Sequence, residues 1–205
     1  MSSSKSLAVL PLAVALLLGV GACSAPEKPV EEPTAQATAA PEPSATSTPV
    51  RRTFTMPTDC TTILPQSRVD TFTADGMVLL GGPGGKYGSD YLADATPEES
   101  AGGISCIWGL ADSEVSSFTI SVAPLSGATR PAVVASFTEQ GLNEAIVGDA
   151  VAYGVQGDRT LDPAIMNVLR GDSWISVIAT VGGSDTYAQA VEIAQEVGDR
   201  VYTTG

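Results

Sequence analysis

Alternating hydrophobic and polar positions predict strands in the second half of the chain. Apolar side chains occur at every second position between residues 117 and 123, a period typical of a strand with one buried face. Two apolar runs flank Arg170-Gly171-Asp172-Ser173, which predicts a β-hairpin turning at that tetrapeptide rather than an adhesion motif. The strand-like segments are residues 104–110, 117–123, 151–155, 164–169 and 174–181.

Helical spacing marks three further segments. Residues 131–140 predict a helix with Pro131 in its first turn and Gly141 as its stop. Residues 58–72 predict a short helical region interrupted at Pro65, with Thr58 or Asp59 as the N-cap. The final helix, over residues 185–202, has an apolar stripe made of Tyr187, Ala190, Val191, Ala194, Val197 and Val201.

The order of these elements favours an α+β domain. Helices do not alternate one for one with strands, and adjacent strands have short connections. We therefore expect an antiparallel sheet of about five strands, with helices packed on one face. Residues 73–103 form a long glycine-rich segment between the first helical region and the first strand.

The first 22 residues predict a signal peptide. Lys5 precedes a run of apolar residues, 7–22, and Cys23 follows a pair of small residues. The run is short for a membrane-spanning helix and contains Pro11. The segment Val20-Gly21-Ala22-Cys23 resembles the lipobox of bacterial lipoproteins, which implies cleavage before Cys23 and lipidation of that residue. The alternative is an ordinary secretory signal followed by an incidental cysteine.

A proline-rich tether follows the candidate lipidation site. Residues 24–50 contain six prolines and four glutamates, with no aromatic residue. Such a segment buries too little apolar surface to fold, and its prolines favour an extended spacer. The sequence thus divides into a signal peptide (1–22), a lipidated cysteine with a disordered tether (23–52) and a single domain (53–205).

Composition excludes several functional classes. The chain has 23 acidic and 10 basic residues and a net charge of -13, which argues against binding to nucleic acid. It contains no histidine, which excludes Ser-His-Asp catalysis and histidine-ligated metals. We expect no catalytic residues, no metal and no cofactor.

Two cysteines remain for the domain, Cys60 and Cys106. In an exported protein an even number of cysteines favours a disulfide. The alternatives are two buried free thiols or a redox pair, although the spacing is far from Cys-x-x-Cys. Trp108 lies on the same predicted strand face as Cys106, so we expect it to pack against the disulfide.

The glycine-rich segment contains a possible partner-binding loop. Residues 81–88 suggest a phosphate-binding loop, but Leu80 occupies the first glycine position of that motif and Tyr87 follows Lys86 where Ser or Thr is needed. The sequence instead favours a surface loop that contacts a partner through Lys86, Tyr87 and Tyr91.

The acidic residues show no catalytic or calcium-binding pattern. No stretch matches an EF-hand loop. Glu98 and Glu99 are adjacent, so their side chains would point apart on any regular element. We expect the stretch to be a loop. The acids are interpreted as a solvated surface.

Several segments together resemble a family. They are Asp59-Cys60-Thr61-Thr62-Ile63-Leu64-Pro65, Cys106-Ile107-Trp108, and Val147-Gly148-Asp149-Ala150-Val151-Ala152-Tyr153. They are similar to secreted actinobacterial lipoproteins built on a small domain of unknown function. The resemblance implies an α+β fold, a surface lipoprotein and a structural disulfide, and it assigns no catalytic residue. The chain departs from the pattern at Val151 and in its glycine-rich segment.

These observations predict a lipid-anchored binding or scaffolding lipoprotein on the extracytoplasmic face of the cell membrane. Its partner would be an envelope protein or a small molecule. A different class, a carboxylate-dependent hydrolase acting on cell-wall glycans, would require paired acids in a cleft. A purely structural spacer would have neither pocket nor partner.

Overall fold

An antiparallel sheet forms the centre of the part of the chain that the structure describes. The computed structural model describes residues 52–112 and 118–204. Their strands are β1 (Arg52–Phe54), β2 (Met77–Gly81), β3 (Ile104–Leu110), β4 (Phe118–Pro124), β5 (Asn143–Val147), β6 (Ala150–Val155), β7 (Ala164–Leu169), β8 (Ser173–Ala179) and β9 (Tyr202–Thr204). Seven strands make one sheet in the order β2-β3-β4-β8-β7-β6-β5, and β1 pairs with β9 in a separate ribbon.

Four α-helices connect or flank these strands in the described residues. They are α1 (Gln66–Ala74), α2 (Pro97–Ser100), α3 (Arg130–Glu139) and α4 (Ser184–Val201). Single 3-10 turns occur at Cys60–Thr62 and Ser89–Tyr91. The predicted interruption at Pro65 is confirmed, because a 3-10 turn capped by Asp59 precedes it and α1 begins directly after it.

The predicted end of α3 is also confirmed. Gly141 has a φ of 74°, which a residue with a side chain rarely adopts. The Gly141 N–H donates to the Thr138 carbonyl, and the Leu142 N–H donates to the Phe137 carbonyl. This pair of hydrogen bonds is the Schellman motif, which satisfies the last carbonyls of a helix.

One face of the sheet packs against α1 and α4. The Phe72 ring of α1 lies 5.4 Å from the Trp108 ring and 5.5 Å from the Phe118 ring. Helix α4 lies against β7 and β8. Its buried residues are Ala190, Ile193, Ala194, Val197, Gly198 and Val201. Most of the predicted apolar stripe therefore faces the core, as its helical spacing indicated.

The opposite face packs against α3. The Phe137 ring lies 5.6 Å from Trp174 and 5.3 Å from Tyr153. Trp174 and Ile175 are consecutive in β8, so their side chains point to opposite faces; Ile175 belongs to the core cluster that contains the α4 residues. The prediction that the helices pack on one face is therefore not confirmed.

The α+β class and the antiparallel sheet are confirmed, but the expected number of about five strands is wrong. The main sheet also contains β2 and β5. Strand β2 lies within the glycine-rich segment, where it is too short to show a clear alternation. All five residues of β5 are exposed, so no apolar period marks this edge strand.

The predicted disulfide joins Cys60 to Cys106, with Cα atoms 5.5 Å apart. Both cysteines are fully buried and link the first 3-10 turn to β3, the neighbour of the edge strand β2. Trp108 lies in the same buried cluster as the disulfide, in line with its predicted position on the face of Cys106.

Candidate ligand-binding site

A row of polar side chains crosses the sheet on the face covered by α2 and α3. Strand pairing places one of these residues on each of six adjacent strands, from β3 to β5, directly opposite its neighbour. The row consists of Ser105, Ser121, Ser176, Asn167, Tyr153 and Glu144. Because buried polar groups are costly unless they are hydrogen-bonded, each buried member of this row, which means all of them except Glu144, needs a partner.

Hydrogen bonds connect the buried part of the row. The hydroxyls of Ser105 and Ser121 are 2.8 Å apart, and the Thr96 hydroxyl lies 2.7 Å from that of Ser105. The Trp174 Nε1–H donates to Asn167 Oδ1 over 2.8 Å. The sheet thus carries a connected set of hydroxyl groups beside an aromatic ring.

The outer end of the row reaches solvent. Tyr153 donates its hydroxyl to a carboxylate oxygen of Glu144 over 2.6 Å. This hydrogen bond is the main cause of a raised pKa for Tyr153. The pair ties the exposed strand β5 to the buried side chains of β6.

Helix α2 begins with a capping box. The Thr96 hydroxyl accepts the Glu99 N–H over 3.1 Å, and the Glu99 carboxylate accepts the Thr96 N–H over 2.9 Å. Pro97 occupies the first turn, where a missing N–H costs nothing. These local contacts fix a short helix whose next residue, Glu98, turns toward the sheet.

A glycine lets α2 approach the sheet closely. The Gly103 N–H donates to the Glu98 carbonyl over 2.9 Å. A Cβ added at Gly103 would lie 2.3 Å from the Val122 carbonyl oxygen, far closer than van der Waals contact. The close approach places the Glu98 side chain against the polar row.

Glu98 is a buried carboxyl group, with only 4% of the residue exposed. Burial is the main cause of its raised pKa, and the negative charge of Glu99 acts in the same direction. Hydrogen bonds from the hydroxyls of Ser176 and Thr96 oppose this shift. Glu98 is therefore more readily protonated than an exposed glutamate.

A cavity of about 310 Å³ lies between α2, α3 and this face of the sheet. The sheet contributes Ile165, Asn167, Trp174, Ser176 and Ile178. The helices and their flanks contribute Pro97, Glu98, Ala101, Ala132, Val133, Ser136, Phe137 and Gln140. An apolar cavity with a few convergent polar groups and one perturbed carboxyl is the usual form of a small-molecule site.

The predicted partner-binding loop lies elsewhere, and the structure brings its three residues together. Lys86 Nζ is 4.9 Å from the centre of the Tyr87 ring, which stacks on the Tyr91 ring at 5.7 Å. The contact with Tyr87 raises the pKa of Lys86. Both tyrosines are exposed, so the loop presents an aromatic surface with one cation.

The glycines of this loop have a packing role. Gly82 has a φ of 94°, and a Cβ there would lie 2.2 Å from the Ser105 carbonyl oxygen and 2.7 Å from Cys60 Sγ. The Cys60 N–H donates to the Pro83 carbonyl over 3.0 Å. The loop thus covers the disulfide. This close packing explains why the loop is rich in glycine, and no phosphate-binding role is needed to explain it.

The Arg170–Ser173 tetrapeptide is the hairpin turn that the sequence predicts. The Arg170 N–H donates to the Ser173 carbonyl over 3.0 Å. The carboxylate of Asp172 accepts the Tyr202 hydroxyl, and Arg170 lies over the Tyr202 ring. The turn's charged groups therefore make contacts within the domain.

The expectation for Glu98 and Glu99 needs correction. They lie on a short helix rather than in a loop, and Glu98 is buried rather than part of a solvated surface. Their side chains do point to different partners. The capping box at Thr96-Pro97-Glu98-Glu99 could have indicated the helix from sequence, but the burial of Glu98 depends on contacts distant along the chain.

The predicted signal peptide, Cys23 and almost all of the tether lie outside the described residues. Within residues 52–112 and 118–204, no helix is long and apolar enough to cross a membrane. The same part of the chain holds no group of three or more His, Cys, Asp or Glu side chains arranged to bind a metal ion. Comparison with protein-family models, curated proteins and solved structures finds no match.

Proposed function

We propose that this protein is a lipid-anchored, extracytoplasmic binding lipoprotein that holds a small molecule in the cavity between α2 and α3. The lipobox-like segment ending at Cys23 and the proline-rich tether support the anchored location. The resemblance to actinobacterial surface lipoproteins supports the same class. The main support for the binding role is the cavity between α2, α3 and the sheet.

The chemistry of the cavity supports binding over hydrolysis. Its lining contains one carboxyl group, Glu98. A glycosidase that uses carboxylates needs two of them facing each other across the scissile bond. The cavity also favours a binding protein over a structural spacer, which has no need of an apolar recess beside a buried acid.

A cavity-filling substitution tests this proposal. We would titrate the purified full-length chain with benzylammonium, benzyl alcohol and benzoate. Binding would be followed by tryptophan fluorescence and by titration calorimetry. We expect saturable binding of at least one probe. Ala132→Phe places a ring in the cavity and should abolish that binding, whereas Ala135→Phe on the same helix adds the same ring away from the lining and should retain it.

Two outcomes would contradict the binding role. One is the absence of saturable binding by all three probes. The other is binding that survives Ala132→Phe, because the bound probe would then occupy a different place.

The anchor has its own test. Cys23→Ala should move the protein from the membrane fraction to the medium, because acyl chains hold an anchored protein at the bilayer. Retention of the variant in the membrane fraction would refute lipidation at Cys23.

A further inference from the structure

We infer that the cavity between α2 and α3 selects a small organic ammonium ion, a cationic amine on an apolar body, with Glu98 as its charged partner. This inference rests on the proposed binding function and adds the chemical class of the ligand. It follows from the charge, the walls and the donor set of the cavity.

Within residues 52–112 and 118–204, Glu98 forms no ion pair. The ion pairs formed by the described arginines use other carboxylates: Asp149, Asp185, Glu192, Glu196 and Asp199. The groups near Glu98 are the hydroxyls of Ser176 and Thr96 and the like charge of Glu99. A buried carboxylate in this setting gains most from a bound cation, because that cation replaces the solvation the carboxylate lost.

The hydroxyl network leaves room for this interaction. Each hydroxyl donates one proton and accepts others, so the hydrogen bonds can run in one direction from Ser121 through Ser105 and Thr96 toward Glu98. All these hydroxyl protons are then used within the protein. The Glu98 carboxylate receives only the proton of Thr96, the last in this chain, and that of Ser176. Its remaining lone pairs can therefore accept the N–H groups of an ammonium ion.

The walls fit the apolar part of such a ligand. Val133, Ile165 and Ile178 contribute aliphatic surface, and the rings of Phe137 and Trp174 line the same cavity. Aromatic rings attract cations as well as apolar groups. A hard metal ion would instead require several oxygen ligands around one point, whereas most of this lining is hydrocarbon.

The charge of the whole chain acts in the same direction. A net charge of -13 attracts cations and repels anions over the protein surface. A carboxylate ligand would be repelled both by this negative field and by the Glu98 carboxylate. We therefore expect an order of affinity with the ammonium first, the neutral isostere second and the carboxylate last.

Benzylammonium, benzyl alcohol and benzoate test this order because they share a ring and differ in charge. By calorimetry on the full-length chain, we expect benzylammonium to bind about tenfold or more tightly than benzyl alcohol. Glu98→Gln should remove that preference while leaving the cavity shape intact. Glu139→Gln removes an equal charge from an exposed position of α3 and should keep the preference.

A second measurement uses the unaltered protein. Lowering the pH protonates Glu98 and should weaken the binding of benzylammonium, while the binding of benzyl alcohol changes little. This test holds even if Glu98→Gln impairs folding, which circular dichroism of the variant would show.

The outcomes separate the two proposals. Equal binding of the ammonium and the alcohol, both blocked by Ala132→Phe, would overturn the cation preference and leave the binding site in place. A preference that persists in Glu98→Gln would overturn the role of Glu98. Failure of every probe to bind would overturn both proposals.

Discussion

Removing the disulfide should destabilise the domain strongly. The Cys60–Cys106 bond joins residues 46 positions apart. In the chain-entropy model, opening a loop of this length costs about 4 kcal/mol, because the unfolded chain regains freedom that the crosslink had removed. Both cysteines are fully buried, so replacing them with alanine also loses packing around the sulfur atoms.

This cost is a large part of the expected stability. A domain of this size is typically stable by about 5–15 kcal/mol. With a urea m-value of about 2 kcal/mol/M, the loss of 4 kcal/mol corresponds to a shift of the unfolding midpoint by about 2 M. The fold is therefore expected to persist without the bond, but with a much smaller margin.

The assay is urea unfolding of the full-length chain, followed by tryptophan fluorescence. We compare the wild type with Cys60→Ala/Cys106→Ala and with Cys23→Ala, which removes a cysteine from outside the domain. The double variant should unfold about 2 M earlier, and the control should match the wild type. A loss below about 1 kcal/mol in the double variant would refute the reasoning that the crosslink restricts the unfolded chain.

Three further predictions concern the candidate site. Gly103→Ala should destabilise the domain by about 1–3 kcal/mol in urea unfolding, since its Cβ would overlap the Val122 carbonyl; an unchanged midpoint would mean that α2 can shift freely. Phe137→Ala should cost about 3–5 kcal/mol, because the ring is buried between aromatic neighbours; thermal unfolding checks this, and a loss under 1 kcal/mol contradicts it. Burial raises the pKa of Glu98. Between about pH 4 and this raised pKa, the folded state therefore binds more protons than the unfolded state. The stability of the wild type should fall as the pH rises through this range. The stability of Glu98→Gln should not fall in this way. Parallel curves of stability against pH for the two proteins would contradict a raised pKa of Glu98.

Sequence patterns identified the elements whose burial is one-sided. Strand β4 alternates because Phe118 and Ile120 face the core near α1 and α4 while Thr119 faces the other way. Strand β5 gave no such signal, since both of its faces are exposed. The expectation that all helices pack on one face failed at α3. Its one buried residue, Phe137, packs on the face of the sheet opposite to α1 and α4.

The candidate site was beyond the reach of sequence patterns for a different reason. Its row of polar residues exists only after β3, β4 and β8 pair in a particular register, which joins Ser105, Ser121 and Ser176 across long chain separations. The burial of Glu98 likewise depends on the contact of Gly103 with β4. Local propensity could place the helix start at Thr96, but it could not show what the helix covers.

The contrast between the two faces of the same strands favours a functional origin for the polar row. Toward α4, β4 and β8 present Ile120, Val122 and Val177, which fill a close-packed core. Toward α2 and α3, the intervening positions are Ser121 and Ser176. Since the backbone is shared, strand propensity cannot explain the difference. A serine fills less volume than an aliphatic side chain and requires hydrogen bonds. Both properties would weaken this face if its only role were to pack against the helices. The same properties suit a surface that lines a cavity beside a buried carboxyl group, which is where Ser176 and Glu98 lie.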